Sequence, residues 1–365
     1  MNAIEFKDIS KVYGKQTLID KTSFAVESGT FTVIFGEPGC GKSVILRLLT
    51  GLEKPTTGEV FMRGVNVTKI SPGYRNIGYT PQSFALYPHY KVRENIGYPL
   101  KLIGAPKEEI DAVVKRTSEL LQISHLLEKT PNQLSGGEKQ RVAIARGIAK
   151  KTDIFVFDDP LNGLDFKLRE QLFDDLRSMQ ETLQVTFVYT TSDPLEAMML
   201  AQKIYVLDGG KIIEAGDLES VYQQPQHLRT ALLLGFPKAN TFEGVLEKSG
   251  KEITCKTNFF SFPVDLKENV QAETDAITVV VRPQDFKLNT KPSGKFVSLK
   301  ANITLAEDLG GEMVMHMDAS GNTLLSVERH KNFNQQEGEV EIGISNKNLM
   351  LFNTKTAQRI GQGAE

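Results

Sequence analysis

The sequence predicts an α/β core followed by a small all-β barrel, and three observations carry that prediction. Up to about residue 235, short apolar strands alternate with amphipathic helices. A glycine-rich turn stands between one of those strands and the helix after it. Beyond Gly235-Phe236-Pro237 the texture changes to short β-rich stretches separated by Gly, Asn, Asp and Lys turns. At ~100–200 residues per domain, 365 residues leave room for two or three domains.

In chain order, Phe31-Thr32-Val33-Ile34-Phe35 reads as a buried strand, followed by the glycine-rich turn and a helix from Lys42 through Leu49. Ile110, Val113, Val114, Leu120 and Leu121 read as one apolar stripe of an amphipathic helix, within a mainly helical insert. Ile154-Phe155-Val156-Phe157 and Val185-Thr186-Phe187-Val188-Tyr189 are two more buried strands, each ending in polar residues. Ile277 to Val281, Val297 to Leu305 and Val340 to Ile344 are expected strands of the barrel.

Composition narrows the function. Hydrophobic residues make up 40% and charged residues 24%, so the chain is expected to be a soluble globular protein rather than disordered or fibrous. Lys+Arg 43 against Asp+Glu 45 leaves a net charge of −2, which argues against nucleic acid as a partner. No apolar run reaches the ~18 residues of a membrane span, and Met1 to Phe6 lacks the features of a secretion signal. Cys40 and Cys255, far apart in sequence, fit a reducing cytoplasm.

Three segments carry chemistry. Gly36-Glu37-Pro38-Gly39-Cys40-Gly41-Lys42-Ser43 fits G-x-x-x-x-G-K-[ST] between a strand and a helix. Gly36, Gly39 and Gly41 would let backbone N–H groups curl around phosphate oxygens, with a helix N-terminus adding a positive dipole. Lys42 would neutralise phosphate charge and the Ser43 hydroxyl would ligand Mg²⁺. Asp158, at the end of an apolar strand, is placed to hold the Mg²⁺ hydration shell, with Asp159 beside it. In Leu134-Ser135-Gly136-Gly137-Glu138, Ser135 and Glu138 form an S-x-x-E capping box, while Gly136-Gly137 are poor helix starters unless a ligand needs close backbone approach. A capped helix start with bare amides is an anion site suited to a γ-phosphate.

In this order the segments resemble the ATP-binding-cassette (ABC) ATPases, with Walker A, Q-loop, LSGG signature, Walker B and D-loop in sequence. The resemblance covers the whole chain and is closest to the maltose and glycerol-3-phosphate importer type. It implies an α/β P-loop NTPase fold over 1–235, an ABC cassette with a helical subdomain at about 84–150, and a C-terminal all-β, OB-like regulatory barrel over 236–365. It also implies ATP and Mg²⁺ as cofactors. Tyr13 matches the aromatic that stacks on adenine, and Gln82 the Q-loop glutamine that touches Mg²⁺ with Ser43 and Asp158. Ala85-Leu86-Tyr87-Pro88-His89 matches the segment that receives a transmembrane subunit, though an apolar loop packing on its own subdomain would read the same way. Asp165 matches the D-loop aspartate, and Lys167-Leu168-Arg169 is typical of the sugar-importer group. Arg282-Pro283 also occurs in the family's barrel, but is equally an ordinary strand entering a proline turn.

Five positions depart from the family pattern. Asp159 stands where the family has a glutamate, and Ser192 where it has a histidine. Val44 replaces the usual threonine, and Asn162-Gly163 the usual D-loop residues. Misplacing a general base costs up to ~10²–10⁴-fold in rate, whereas the groups that bind nucleotide are all present. The expectation is therefore a chain that holds MgATP, hydrolyses it poorly, and uses Leu134 to Glu138 to complete the site of a non-identical ATPase partner. The other expected partners are two transmembrane permease subunits and, indirectly, an extracytoplasmic solute-binding protein, with the chain peripheral on the cytoplasmic face of the cell membrane. Sugar, polyol, glycerol or glycerol phosphate is the expected cargo, although polyamine, iron and anion importers carry similar barrels. A slow homodimeric ATPase, a non-hydrolysing regulatory module and a soluble cassette of translation or DNA repair are the alternatives.

Overall fold

The computed structural model describes residues 1–161, 166–250, 252–267, 276–288, 294–329 and 338–364. The chain forms two compact units, Met1–Leu218 and Glu219–Glu365.

The first unit opens with β1 (Asn2–Tyr13) and β2 (Gln16–Glu27), which pair antiparallel, then β3 (Phe31–Phe35) and α1 (Lys42–Thr50). There follow β4 (Thr57–Met62), β5 (Val65–Asn66), β6 (Gly78–Thr80) and three helices, α2 (Val92–Leu102), α3 (Lys107–Leu120) and α4 (Gly136–Ile148). The remainder is β7 (Ile154–Asp158), α5 (Phe166–Leu183), β8 (Thr186–Thr191), α6 (Pro194–Leu200), β9 (Lys203–Asp208) and β10 (Lys211–Asp217). One sheet is antiparallel in the order β2-β1-β4-β5, and the other runs β10-β9-β3-β8-β7-β6 with β10 the antiparallel edge.

Every residue of β3, β7 and β8 is buried, as parallel strands covered on both faces require. Their alternation divides the core. Ile34, Ile154, Val156 and Val188 join α1 and the antiparallel sheet in one cluster. Phe31, Phe155 and Phe157 ring Phe187 at centroid distances of 5.2, 5.6 and 5.2 Å on the other face. Because these strands are parallel and in register, the chain leaves β3, β6, β7 and β8 at the same edge of the sheet, where polar residues collect.

In α3 the expected stripe is only partly realised. Val113 and Val114 are buried, but Leu120 is 39% exposed. At about 100° per residue, Leu120 falls well off the line through Ile110 and Val114, while Leu121, just past the helix end, turns inward.

The second unit begins within α7 (Leu218–Gln223) and continues with α8 (Leu228–Leu233). Ala231 of α8 packs in a cluster with Val280, Met350 and Phe352, which accounts for its place here. The strands are β11 (Asn240–Ser249), β12 (Glu252–Thr257), β13 (Ser261–Leu266), β14 (Ile277–Val281), β15 (Phe286–Leu288), β16 (Phe296–Asp308), β17 (Glu312–Ala319), β18 (Asn322–Arg329), β19 (Glu339–Ser345), β20 (Met350–Asn353) and β21 (Arg359–Gly363). They form a closed barrel, β11-β12-β13-β21-β20-β14, together with a five-stranded sheet, β15-β19-β16-β17-β18, which fits the expected all-β, OB-like domain. One core serves both, running from Phe242 and Cys255 to Met315 and Ile342. Cys255 is fully buried there, the packing role expected of it.

Candidate nucleotide site

The turn after β3 needs its glycines for space and for backbone angle. A Cβ on Gly36 would lie 2.3 Å from the Leu207 carbonyl oxygen. Gly41 has φ of +112° and would place a Cβ 2.8 Å from Ile19 Cδ1. Gly41 is also the N-cap of α1, so the loop delivers Lys42 and Ser43 into the first turn with its backbone N–H groups unspent on side-chain caps.

At the edge where these strands end lies a cavity of about 440 Å³. The loop contributes Pro38, Gly39, Gly41, Lys42, Ser43 and Val44, and the strand ends contribute Gln82, Asp158, Asp159 and Ser192. Leu18, from β2, completes the wall. Lys42 is buried, with its ammonium donating to the carbonyls of Gly36 at 2.7 Å and Glu37 at 3.0 Å. Ser43 donates its hydroxyl to Asp158 Oδ1 at 2.9 Å, joining the loop to the end of β7. These are oxygen donors, the kind Mg²⁺ takes. Among the described residues no group of three or more His, Cys, Asp or Glu could hold a metal ion. A metal here would thus combine Ser43, Asp158 and the Gln82 amide oxygen with oxygens from a nucleotide, which the donor set fits.

Several residues that tune this site were not singled out from the sequence. Thr190, fully buried on β8, donates its hydroxyl to Asp158 Oδ1 at 3.1 Å. Its hydroxyl and carbonyl oxygens also both accept from the Asp159 N–H at 3.1 Å. Tyr79, on β6, has its pKa pushed up to about 12, first by burial and then by the neighbouring Asp158 carboxylate. Below Ser192, the Tyr189 hydroxyl donates to Glu196 at 2.8 Å, and burial raises the Glu196 carboxyl above its ordinary range. Arg169 of α5 donates to Asp193 at 2.8 Å, fixing the residue next to Ser192.

Asp159 sits in the left-handed region with φ of +45°, a conformation aspartate accepts better than longer side chains. Gln82 Nε2 donates to its Oδ2 at 3.4 Å. Cys40, within the loop, is half-buried and not on the cavity wall. Burial is the largest cause raising its thiol pKa. Tyr13 is also outside the wall. Its ring is 41% exposed, its hydroxyl donates to Glu53, and Lys11 Nζ lies 4.8 Å from the ring centroid. Asp165 lies outside the described residues.

The two remaining segments stand apart from the cavity wall. At the start of α4, Ser135 accepts from the Glu138 N–H at 3.3 Å while Glu138 accepts from the Ser135 N–H at 2.7 Å. This is the capping box read from the sequence, and these bonds hold the Glu138 carboxyl below its usual range. Leu134 is buried beneath, and a Cβ on Gly136 would meet nothing within 4 Å. In the segment Ala85 to His89, Ala85 has positive φ, like Phe84 before it, and Arg146 of α4 binds the carbonyls of both, at 2.8 Å for Phe84 and 2.5 Å for Ala85. Tyr87 packs on Tyr98 and Tyr90 at 4.5 and 5.6 Å, and Asn95 holds its backbone on both sides. The packing accounts for Tyr87, which still keeps 40% of its surface exposed.

A fully buried parallel strand, a glycine turn capping a helix with Lys-Ser, and an aspartate bonded to that serine define a phosphate-loop nucleotide-binding protein. Residues 19–162 match the family model described as ABC transporter. The chain is 34% identical to the lactose transport ATP-binding protein LacK of Rhizobium radiobacter over 96% of this chain and 98% of that one. It is 32% identical to the trehalose/maltose import ATP-binding protein MalK of Thermococcus litoralis over 99% and 100%, and 34% identical to the Fe(3+) ions import ATP-binding protein FbpC of Photorhabdus laumondii over 89% of each. The chain belongs to the ABC transporter family of ATPases. Among solved structures, the ATP-binding cassette MJ0796, a dimer in a post-hydrolysis state bound to ADP and Pi, superimposes with a TM-score of 0.56 at 28% identity, covering 59% of this chain and 98% of that one.

Proposed function

We propose that this chain is the ATP-binding subunit of an importer for a carbohydrate or polyol, and that its own site binds MgATP firmly but splits it slowly. The observation that carries the reading is the single wall shared by Lys42, Ser43, Asp158, Asp159 and Ser192. Lys42 leaves the carbonyls of Gly36 and Glu37 for the β- and γ-phosphates, and the loop amides bind the remaining oxygens. Ser43, Asp158 and Gln82 hold Mg²⁺, which neutralises charge on the transferred phosphoryl group. Tyr13, exposed and outside the cavity wall, supplies the stacking ring for adenine.

The attacking water then needs a carboxylate and the γ-phosphate a cation. Asp159 reaches about 1.5 Å less far than a glutamate would, and a shortfall of that order costs ~10²-fold. Ser192 offers a short, neutral hydroxyl. Leu134, Ser135, Gly136, Gly137 and Glu138 remain an intact anion-binding helix start, available to a different ATPase that brings its own glutamate and histidine. Ala85 to His89 receives a transmembrane subunit, and the chain sits at the cytoplasmic face of the membrane. No helix among the described residues is long and apolar enough to cross a membrane, so attachment runs through those subunits.

The relatives named for lactose, trehalose/maltose and sn-glycerol-3-phosphate import support a carbohydrate or polyol, and those named for iron import keep an ion importer as the alternative. The test is to assay ATP hydrolysis by the purified chain alone and then mixed with an ATPase encoded beside it. Slow turnover alone and fast turnover in the mixture supports the asymmetric pair. Equal rates point to the homodimer.

A further inference from the structure

One carboxylate holds the Tyr13 side chain from outside the cavity. Glu53, just past the end of α1, accepts from the Tyr13 hydroxyl through Oε2, and the same oxygen lies 3.2 Å from the Lys11 ammonium. Its other oxygen, Oε1, accepts from Arg47 of α1 at 2.6 Å. We propose that Glu53 is a positioning residue of the nucleotide site, fixing the Tyr13 ring as a ready-made platform for the base. The inference rests on the stacking role proposed for Tyr13.

Three neighbouring pieces of the first unit meet in this clamp. Lys11 and Tyr13 end β1, Arg47 sits on α1, and Glu53 stands in the turn after it. The backbone ties the same pieces together. The Glu53 N–H donates to the Arg47 carbonyl at 3.0 Å, the Thr56 N–H to the Ser10 carbonyl at 2.8 Å, and the Val12 N–H to the Thr56 hydroxyl at 3.0 Å. Helix α1 also begins with Lys42 and Ser43 in the phosphate loop. One helix therefore carries the phosphate-binding residues at its start and, through Arg47 and Glu53, the aromatic ring toward its end.

The same cluster prepares the ring for stacking. Lys11 Nζ donates to the Lys54 carbonyl at 2.8 Å and stands over the Tyr13 ring, 4.8 Å from its centroid. The ammonium takes one face of the ring and leaves the other for a base. The side chains of Lys11 and Glu53 are only 15% and 21% exposed, so their attraction is screened less than that of an open surface pair. A tyrosine at the end of a strand would otherwise lose rotamer freedom when a base stacks on it. Here that cost is met on folding, before the nucleotide arrives.

The experiment is calorimetry on the full chain, comparing a non-hydrolysable ATP analogue with inorganic tripolyphosphate, both with Mg²⁺. Tripolyphosphate carries phosphates without a base, so it reads the phosphate loop alone. Tyr13→Leu removes the ring and weakens the analogue by about tenfold or more. Glu53→Gln turns one accepting oxygen into an NH2 group, and Tyr13→Phe removes the hydroxyl that Glu53 holds. Each weakens the analogue by about three- to tenfold, and the double variant loses no more than the larger single loss. Tripolyphosphate affinity stays within about twofold of the parent in every variant. The inference is overturned if Glu53→Gln or Tyr13→Phe binds the analogue like the parent while Tyr13→Leu does not, or if the two losses add. A matching loss of tripolyphosphate affinity also overturns it, because the effect then reaches the phosphate loop. If Tyr13→Leu itself binds the analogue like the parent, the stacking role of Tyr13 fails, and the inference with it.

Discussion

Thr190 and Asp158, adjacent partners on parallel strands β8 and β7, share a 3.1 Å hydrogen bond in which the buried hydroxyl donates to the carboxylate. Asp158 Oδ1 thus accepts from Thr190 on the sheet side and from Ser43 on the loop side at 2.9 Å, which fixes the carboxylate at the cavity floor. The same threonine anchors the Asp159 N–H, so one residue sets both acids.

Replacing it tests that role. Thr190→Val keeps the shape but removes the hydroxyl, leaving Asp158 one donor short and the Asp159 N–H with the Thr190 carbonyl alone. Stability should fall by about 1–2 kcal/mol in urea denaturation. Mg²⁺-dependent nucleotide affinity should fall by more than Mg²⁺-free affinity. An unchanged Mg²⁺ dependence would show that the hydroxyl does not position Asp158.

Cys40 reports on the loop. Burial keeps its thiol protonated above the usual range, so alkylation should be slow near neutral pH and accelerate as pH rises, because the thiolate is the nucleophile. Modification should abolish nucleotide binding, since the side chain packs against Gly36, whose added Cβ would lie 2.8 Å from the sulfur. MgATP added first should protect. Labelling that ignores ATP would contradict the assignment of the phosphate loop.

Arg146 shapes the segment proposed to meet the membrane subunits. Its guanidinium, desolvated by burial, holds the carbonyls of Phe84 and Ala85 where both residues adopt positive φ, and lies 5.6 Å from the Tyr87 ring centroid. Arg146→Met should release that turn, which two hydrogen bonds from a charged donor hold, and reduce co-purification with transmembrane subunits by roughly tenfold or more. Affinity for ATP should change little, because Arg146 is not on the cavity wall. Equal co-purification would assign Ala85 to His89 to packing alone.

Much of this was legible because single positions carried strong constraints. Strand, Gly36 to Gly41, Lys42, Ser43 and helix form one continuous local motif, and Ser135 with Glu138 encodes its own cap. Thr190 was not legible, because in sequence it is one more β-branched residue in a strand, and only the parallel register with β7 turns its hydroxyl toward Asp158. Leu18 reaches the cavity from a strand that precedes the loop in sequence, which no local pattern announces. In the second unit the individual strands could be read from alternation. Their division into a closed barrel and a separate sheet depends on pairings such as β13 with β21, nearly one hundred residues apart. The placement of α8 follows from burial against Val280, Met350 and Phe352, contacts that come from later in the chain.

Steady-state ATP turnover of the chain carrying Asp159→Glu and Ser192→His together, set against the parent chain, bears most directly on the proposed weak site. A glutamate at φ of +45° carries some backbone strain, so melting temperature and ATP affinity are recorded alongside to establish that the variant is folded and loaded. Restoring the carboxylate reach and the imidazole should raise turnover by about 10²-fold with little change in affinity. A folded, nucleotide-loaded variant that hydrolyses no faster than the parent would mean that Asp159 and Ser192 are not what limits this site.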